Sequence, residues 1–108
     1  MNFEGSGKRV RIYIGEQDKP EGRHDPLWQA ILNYLHDHGA AGATVFRALA
    51  GFGAHNHIHM ARLADLVPDL PMVVEWIDTA ERVDELLPHI RQMVRSGTIS
   101  SEDVDILA

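Results

Sequence analysis

Pro71-Met72-Val73-Val74-Glu75-Trp76-Ile77-Asp78 decides how this chain folds. It is apolar at both alternating sets of positions apart from Glu75. A run of that kind belongs in the middle of a sheet, covered on both sides. The next residues, Asp78-Thr79-Ala80-Glu81, have the spacing of a helix-start capping box. Val83, Leu86, Leu87, Ile90, Met93 and Val94 then recur at helical intervals until Gly97. Pro88 falls inside this helix, where it removes one hydrogen bond and is expected to kink or split it.

Working toward the N-terminus, Ala43 to Ala50 reads as a strand that Gly51-Phe52-Gly53 ends. Ala54 to Asp69 is a long connection carrying three histidines; the pattern from Met60 to Val67 fits a short helix or a strand. Leu27, Ile31 and Leu35 recur every four residues, with Trp28 and Tyr34 on the flanks. Asp25-Pro26 suits the start of that helix and His38-Gly39 its end. Arg9 to Ile14 alternates strictly, with Val10, Ile12 and Ile14 on one side. Gly15 to His24 is a loop, and residues 1–8 are expected to form a flexible arm ahead of a single domain at 9–108. Beyond Gly97, Thr98-Ile99-Ser100 and Val104 to Leu107 offer a short last strand or two. The order strand, helix, strand, strand, helix, strand predicts an α+β, ferredoxin-like βαββαβ sandwich. In it one antiparallel sheet carries two helices on one face.

Such a sheet has an open face. If Val10, Ile12, Ile14, Phe46, Ala48, Met72, Val74 and Trp76 meet the helices, the open face holds Arg11, Tyr13, Val45, Arg47, Leu49, Val73, Glu75 and Ile77. That face is largely apolar, which predicts an oligomer interface. With the third strand between the first two, Glu75 is expected between Arg11 and Arg47. The three charges would then face an anion or fix register in an oligomer, or form a solvated salt bridge of little energetic weight.

The 108 residues suffice for one core, and 44% hydrophobic with 24% charged residues is ordinary globular composition. A net charge of −6 argues against nucleic acid as the main partner. The absence of cysteine excludes disulfides, thiolate zinc sites and thiol catalysis. No run approaches the length of a membrane span, so no direct membrane insertion is expected. Met1 to Gly5 lacks the basic region and apolar core of a secretory leader, which predicts a cytoplasmic protein. No serine–histidine pair, carboxylate pair or phosphate loop stands out as catalytic machinery, so a non-enzymatic protein is expected.

Two segments are candidate sites. The glycines of Gly51-Phe52-Gly53 let a ligand approach main-chain N–H groups, which suit phosphate or carboxylate. Phe52 would stack on a base or plug the core. His55, His57 and His59 alternate, so in an extended chain they point one way, as ligands for a divalent transition metal or as plain solvated side chains.

Several segments together carry a family resemblance. They are Val10 to Glu16, Gly42-Ala43-Thr44-Val45-Phe46-Arg47, Gly51-Phe52-Gly53, Asp69-Leu70-Pro71 and Leu87-Pro88. From about Arg9 to the C-terminus the chain resembles the PII-like family catalogued as domain of unknown function 190, similar in fold to PII signalling proteins. The resemblance implies a trimer with sheets facing inward and a small molecule bound between subunits, in PII proteins an adenine nucleotide. It also implies a loop after the second strand, here 53–69, that reports the ligand to a protein partner. Gly51, Phe52 and Gly53, with Arg47 and Arg11, are the ligand-binding candidates on that reading. PII proteins carry a glycine-rich, lysine-containing phosphate segment after the second helix. Here that place reads Arg95-Ser96-Gly97-Thr98-Ile99-Ser100-Ser101-Glu102-Asp103, with one glycine and following acids that would repel a polyphosphate. The alternatives are a metal-binding or metal-tolerance protein using His55, His57 and His59, and a scaffolding oligomer without ligand.

Overall fold

A computed structural model of the chain describes residues 4–53, 57–62 and 68–108. Strand β1 spans Gly5–Gly15, helix α1 Leu27–Asp37 and strand β2 Ala43–Arg47. A two-residue pair follows, β3 at Ala50–Gly51 and β4 at His59–Met60. Strand β5 spans Pro71–Asp78, helix α2 Ala80–Met93 and strand β6 Thr98–Ile106. The main sheet has the order β2-β5-β1-β6 with every neighbour antiparallel. The expected ferredoxin-like arrangement is therefore the one observed, and β5 lies inside the sheet between β2 and β1.

Burial alternates along β5 without a break: Met72, Val74 and Trp76 are buried, while Val73, Glu75 and Ile77 are half-buried. The register sets Val10 opposite Trp76, Ile12 opposite Val74 and Ile14 opposite Met72. Leu27, Ile31 and Leu35 of α1 and Val83, Leu86 and Ile90 of α2 close over this row in one cluster. Both helices thus cover the same sheet face. Each fully buried side chain of this size stabilises the fold by about 1.5–3 kcal/mol. Among the described residues no helix is long and apolar enough to cross a membrane.

Several expectations need correction. Residues 5–8 do not form an arm: Gly5 to Lys8 pair with β6, from Gly5 opposite Ile106 to Lys8 opposite Asp103. Gly7 is buried there, where an added Cβ would lie 2.5 Å from Ile106 Cδ1 and 2.7 Å from the Asp78 carbonyl oxygen. The end of the chain is one nine-residue strand, because β1 extends far enough to pair with all of it. Helix α1 starts at Leu27 with no side-chain cap. The Leu27 N–H instead donates to the backbone carbonyl of Asp18 at 2.7 Å, and Asp25 pairs with Arg23. Helix α2 is capped by Thr79, whose hydroxyl accepts from the Arg82 N–H at 3.2 Å. It runs through Pro88 unbroken.

The face assignment of β2 was inverted. Val45 sits opposite the buried Val74, and Ala43 opposite Trp76, so these smaller residues pack against the core beneath the helices. Thr44 and Phe46 sit opposite Glu75 and Val73 on the open face, where Phe46 is 50% exposed. Arg47 falls on the Met72 side of the register, away from Glu75. The open face therefore combines Tyr13, Phe46, Val73 and Ile77 with a row of charges. Arg9 Nε donates to Glu102 at 2.9 Å, Arg11 Nη1 to the same Glu102 oxygen at 3.3 Å, and Arg11 Nε to Glu75 at 3.0 Å.

Candidate functional site

The chain leaves the main sheet at Arg47 and returns to it at Pro71, and both ends of this excursion are fixed by the end of β1. The Glu16 carboxylate takes the Arg47 guanidinium side-on, with Nε–Oε2 at 3.0 Å and Nη2–Oε1 at 3.1 Å. The same Oε1 accepts from the Leu70 N–H at 3.2 Å, and the Glu16 N–H donates to the Leu70 carbonyl at 2.8 Å. Gln17 adds two bonds, N–H to Asp69 Oδ1 at 3.1 Å and Nε2 to the Pro68 carbonyl at 2.6 Å. The Ala48 N–H donates to the Pro71 carbonyl at 2.8 Å, so entry and exit are also tied to each other. One carboxylate, 20% exposed, thus bridges a strand end and a returning backbone amide. Arg47 is half-exposed at 49% and reachable from solvent.

Within the excursion, β3 and β4 form a ribbon in which Ala50 faces Met60 and Gly51 faces His59. Alternation puts Ala50, Phe52, Ile58 and Met60 on one side and Gly51, His57 and His59 on the other. The second side faces the domain. A Cβ on Gly51 would come within 2.9 Å of Pro71 Cγ, and His59 Nδ1 lies 3.9 Å from Asp69 Oδ2. The first side faces away and is wholly apolar: Phe52 is 68% exposed, Ile58 57% and Met60 42%. Phe52 therefore does not plug the core. Among the described residues nothing lies within 4 Å of a Cβ added at Gly53, so of the two loop-base glycines Gly51 is the one under steric constraint there.

The sequence-based candidates separate. Gly51, Phe52, Gly53 and Arg47 share the loop base. Arg11 is four residues back along β1 from Gly15, roughly 13 Å away, and is engaged with Glu75 and Glu102. His57 and His59 are adjacent, with ring centroids 4.9 Å apart; His55 lies outside the described residues. Among the described residues no three histidine, aspartate or glutamate groups are placed to hold a metal ion. Gly97 is pressed against β1, where a Cβ would meet the Tyr13 carbonyl oxygen at 2.5 Å, and Glu102 and Asp103 are held by Arg9 and Lys8. The hydrogen bond from Arg9 is the main cause that holds the Glu102 carboxyl below its ordinary range. That from Lys8 does the same for Asp103. A hollow of about 450 Å³ beside Ser6, Gly7 and Lys8 lies at the opposite end of β1 from the loop base. Glu16, Gln17, Asp69 and Leu70 are the members of the loop base that sequence reasoning missed. Only the resemblance, which spans Glu16 and Asp69-Leu70-Pro71, pointed toward them.

Residues 7–106 match the model of DUF190, described as an uncharacterized ACR. The chain belongs to the DUF190 family. A UPF0166 protein of Aquifex aeolicus (strain VF5) is 37% identical over 100 residues, covering 93% of this chain and 92% of that protein. A UPF0166 protein of Methanocaldococcus jannaschii is 28% identical over 90 residues, covering 83% and 81%. Among solved structures, this DUF190 chain is similar in fold to CPII, a nitrogen regulatory PII-like protein from Thiomonas intermedia K12, bound to ADP, AMP and bicarbonate. The TM-score is 0.71 at 19% identity, over 95% of this chain and 90% of that one. A second CPII structure, bound to ADP and bicarbonate, matches with TM-score 0.65 at 22% identity, over the same shares.

Proposed function

We propose that this DUF190 protein is a PII-like regulatory homotrimer. It binds a small anionic ligand, an adenine nucleotide first among the candidates, in a cleft between subunits and reports it through the loop after β2. The observation that carries this reading is the loop base. A half-exposed arginine stands where the chain leaves the sheet, four residues before Gly51 and five before the exposed Phe52, and the same carboxylate that holds the arginine also accepts from the Leu70 N–H at the loop exit. Guanidinium suits phosphate, and an exposed aromatic ring suits a base. The fold shared with CPII, whose structures hold ADP, AMP and bicarbonate, supports the same ligand classes. The open sheet face, with Tyr13 and Phe46 about half exposed, is the surface proposed to meet the other subunits. The outward side of the ribbon, at Ile58 and Met60, is the surface proposed to meet a protein target.

The test is a thermal-shift panel of ATP, ADP, AMP, cyclic nucleotides, bicarbonate and divalent ions, singly and paired. A ligand at a hundred times its Kd should add about 2.7 kcal/mol of stability. A nucleotide shift lost in Arg47→Ala and in Phe52→Ala is the expected result. A shift with a transition metal alone, lost on replacing His55, His57 and His59, would move the assignment to metal binding. A flat panel would leave the scaffolding reading.

A further inference from the structure

Glu16 occupies the same edge of Arg47 that an external oxyanion would use. A guanidinium offers its Nε and Nη hydrogens as a fork matched to two oxygens of one acid group. Here the two oxygens belong to the protein itself, at 3.0 and 3.1 Å. While Glu16 stays, the pair is neutral, and among the described residues the carboxylates of Asp18 and Asp69 add negative charge along the same stretch, Gly15 to Gln17. Asp18 accepts from the Gly15 N–H at 2.8 Å and Asp69 from the Gln17 N–H at 3.1 Å, so both are fixed close to the pair. Withdrawal of Glu16 frees both fork hydrogens of Arg47 for an anion. Withdrawal has a second effect, because Glu16 Oε1 is the acceptor for the Leu70 N–H.

We infer that the Arg47 fork is an oxyanion subsite held closed by Glu16, and that a ligand oxyanion displaces the Glu16 carboxylate and thereby frees the Leu70 N–H, one of the bonds that hold the loop exit. This rests on the ligand-binding reading above and names how the ligand reaches the loop. The ligand group must present two oxygens from one centre, as the phosphate of a nucleotide, inorganic phosphate and bicarbonate all do. Coupling follows from geometry: one carboxylate serves both arginine and amide, so taking it from the first frees the second. By reciprocity, a partner that holds the Leu70 N–H away from Glu16 must tighten ligand binding by the same factor.

The experiment compares wild type with Glu16→Gln, which keeps an acceptor for Leu70 but removes the competing charge. ADP, bicarbonate and inorganic pyrophosphate are titrated separately by calorimetry. Glu16→Gln is expected to bind the effective oxyanion roughly tenfold more tightly, about 1.4 kcal/mol. In wild type, the Leu70 amide is expected to exchange faster with solvent deuterium when that ligand is added, while core amides such as Val74 slow. Equal or weaker binding by Glu16→Gln, or a Leu70 amide that slows on binding, would overturn the inference while leaving the functional reading intact. If neither protein binds any nucleotide, the functional reading fails instead. The pyrophosphate and bicarbonate arms then decide the inference. Binding gained in Glu16→Gln and lost in Glu16→Gln/Arg47→Ala sustains it; no oxyanion binding by either protein removes it.

Discussion

Asp78 ends β5 with a carboxylate that is 4% exposed and has three donors. Trp76 Nε1 donates to Oδ2 at 3.0 Å and the Ala41 N–H to the same oxygen at 2.8 Å, while the Thr79 N–H donates to Oδ1 at 2.8 Å. One side chain therefore fixes the indole at the centre of the core, the turn leading into β2 and the first residue before α2. The capping-box pattern beginning at Asp78 was real as a helix signal but placed the cap one residue early. Thr79 caps, and Asp78 turns inward because the indole and a loop amide need an acceptor there. Removing the acceptor leaves three donors unpartnered, each at about 1–3 kcal/mol when buried. Asp78→Ala is expected to destabilise the fold by about 3 kcal/mol or more, read as a lowered urea midpoint with native-like slope. A change below about 1 kcal/mol would show that water replaces the carboxylate.

Strand β6 and the first half of β1 are an element pair in which charge follows register. Lys8 lies opposite Asp103 and Arg9 opposite Glu102, so these two acids are each matched across the ladder. The hydrogen bond from Arg9 depresses the Glu102 carboxyl below 4.5, and that from Lys8 depresses Asp103 below 3.8. The hydrogen bond that Lys8 donates to Asp103 raises the ammonium above 10.5. Depressed carboxyls bind fewer protons in the folded state, so their contribution is present above the unfolded values and is lost as pH falls through the folded ones. The raised Lys8 contributes fully below pH 10.5 and loses its share as pH climbs through its folded pKa. Between about pH 5 and pH 3, wild type is expected to lose stability more steeply than the Glu102→Gln/Asp103→Asn variant. The difference should shrink in high salt, because both pairs are solvent-facing. Parallel curves would mean that the pairs contribute equally to the unfolded chain.

Elements also show what sequence could carry. Strand β5, the part of β1 from Arg9 on and both helices were legible because their apolar periods are long and unbroken, whereas Gly5 to Lys8 carry no such period. Five residues at β2 gave too short a pattern: Val45 and Phe46 are neighbours, either fits a covered face, and only the helices overhead choose the smaller. Arg47 went to the wrong face with them. The loop base was half legible. Gly51 to Gly53 stood out locally, but Glu16 meets Arg47 across 31 positions and Leu70 across 54, which no local spacing reveals. In the segment after α2, the acids Glu102 and Asp103 are taken up by Arg9 and Lys8 across the ladder. Gly97 has its own reason, its closeness to the Tyr13 carbonyl.

At the scale of the whole molecule, the open sheet face has the composition of a surface meant to be covered. Tyr13 and Phe46 are 43% and 50% exposed, flanking the half-buried Val73 and Ile77. Arg9, Glu102, Arg11 and Glu75 run through it as a row of alternating sign with no net charge. A balanced row of this kind can be desolvated with its partners in place, whereas a lone charge there would oppose burial. Phe46 makes the clean probe because it stands outside the core cluster and opposite Val73, away from the helices. Phe46→Glu is expected to convert the proposed trimer to monomer in sedimentation equilibrium while leaving the far-ultraviolet circular dichroism unchanged. Val73 lies on the same face, so Val73→Glu should act in the same direction. Two intact trimers would move the subunit contact to another surface, and a monomeric wild type would remove the inter-subunit cleft from the ligand proposal. The Arg47 subsite would survive that second outcome, because every atom in it comes from one chain.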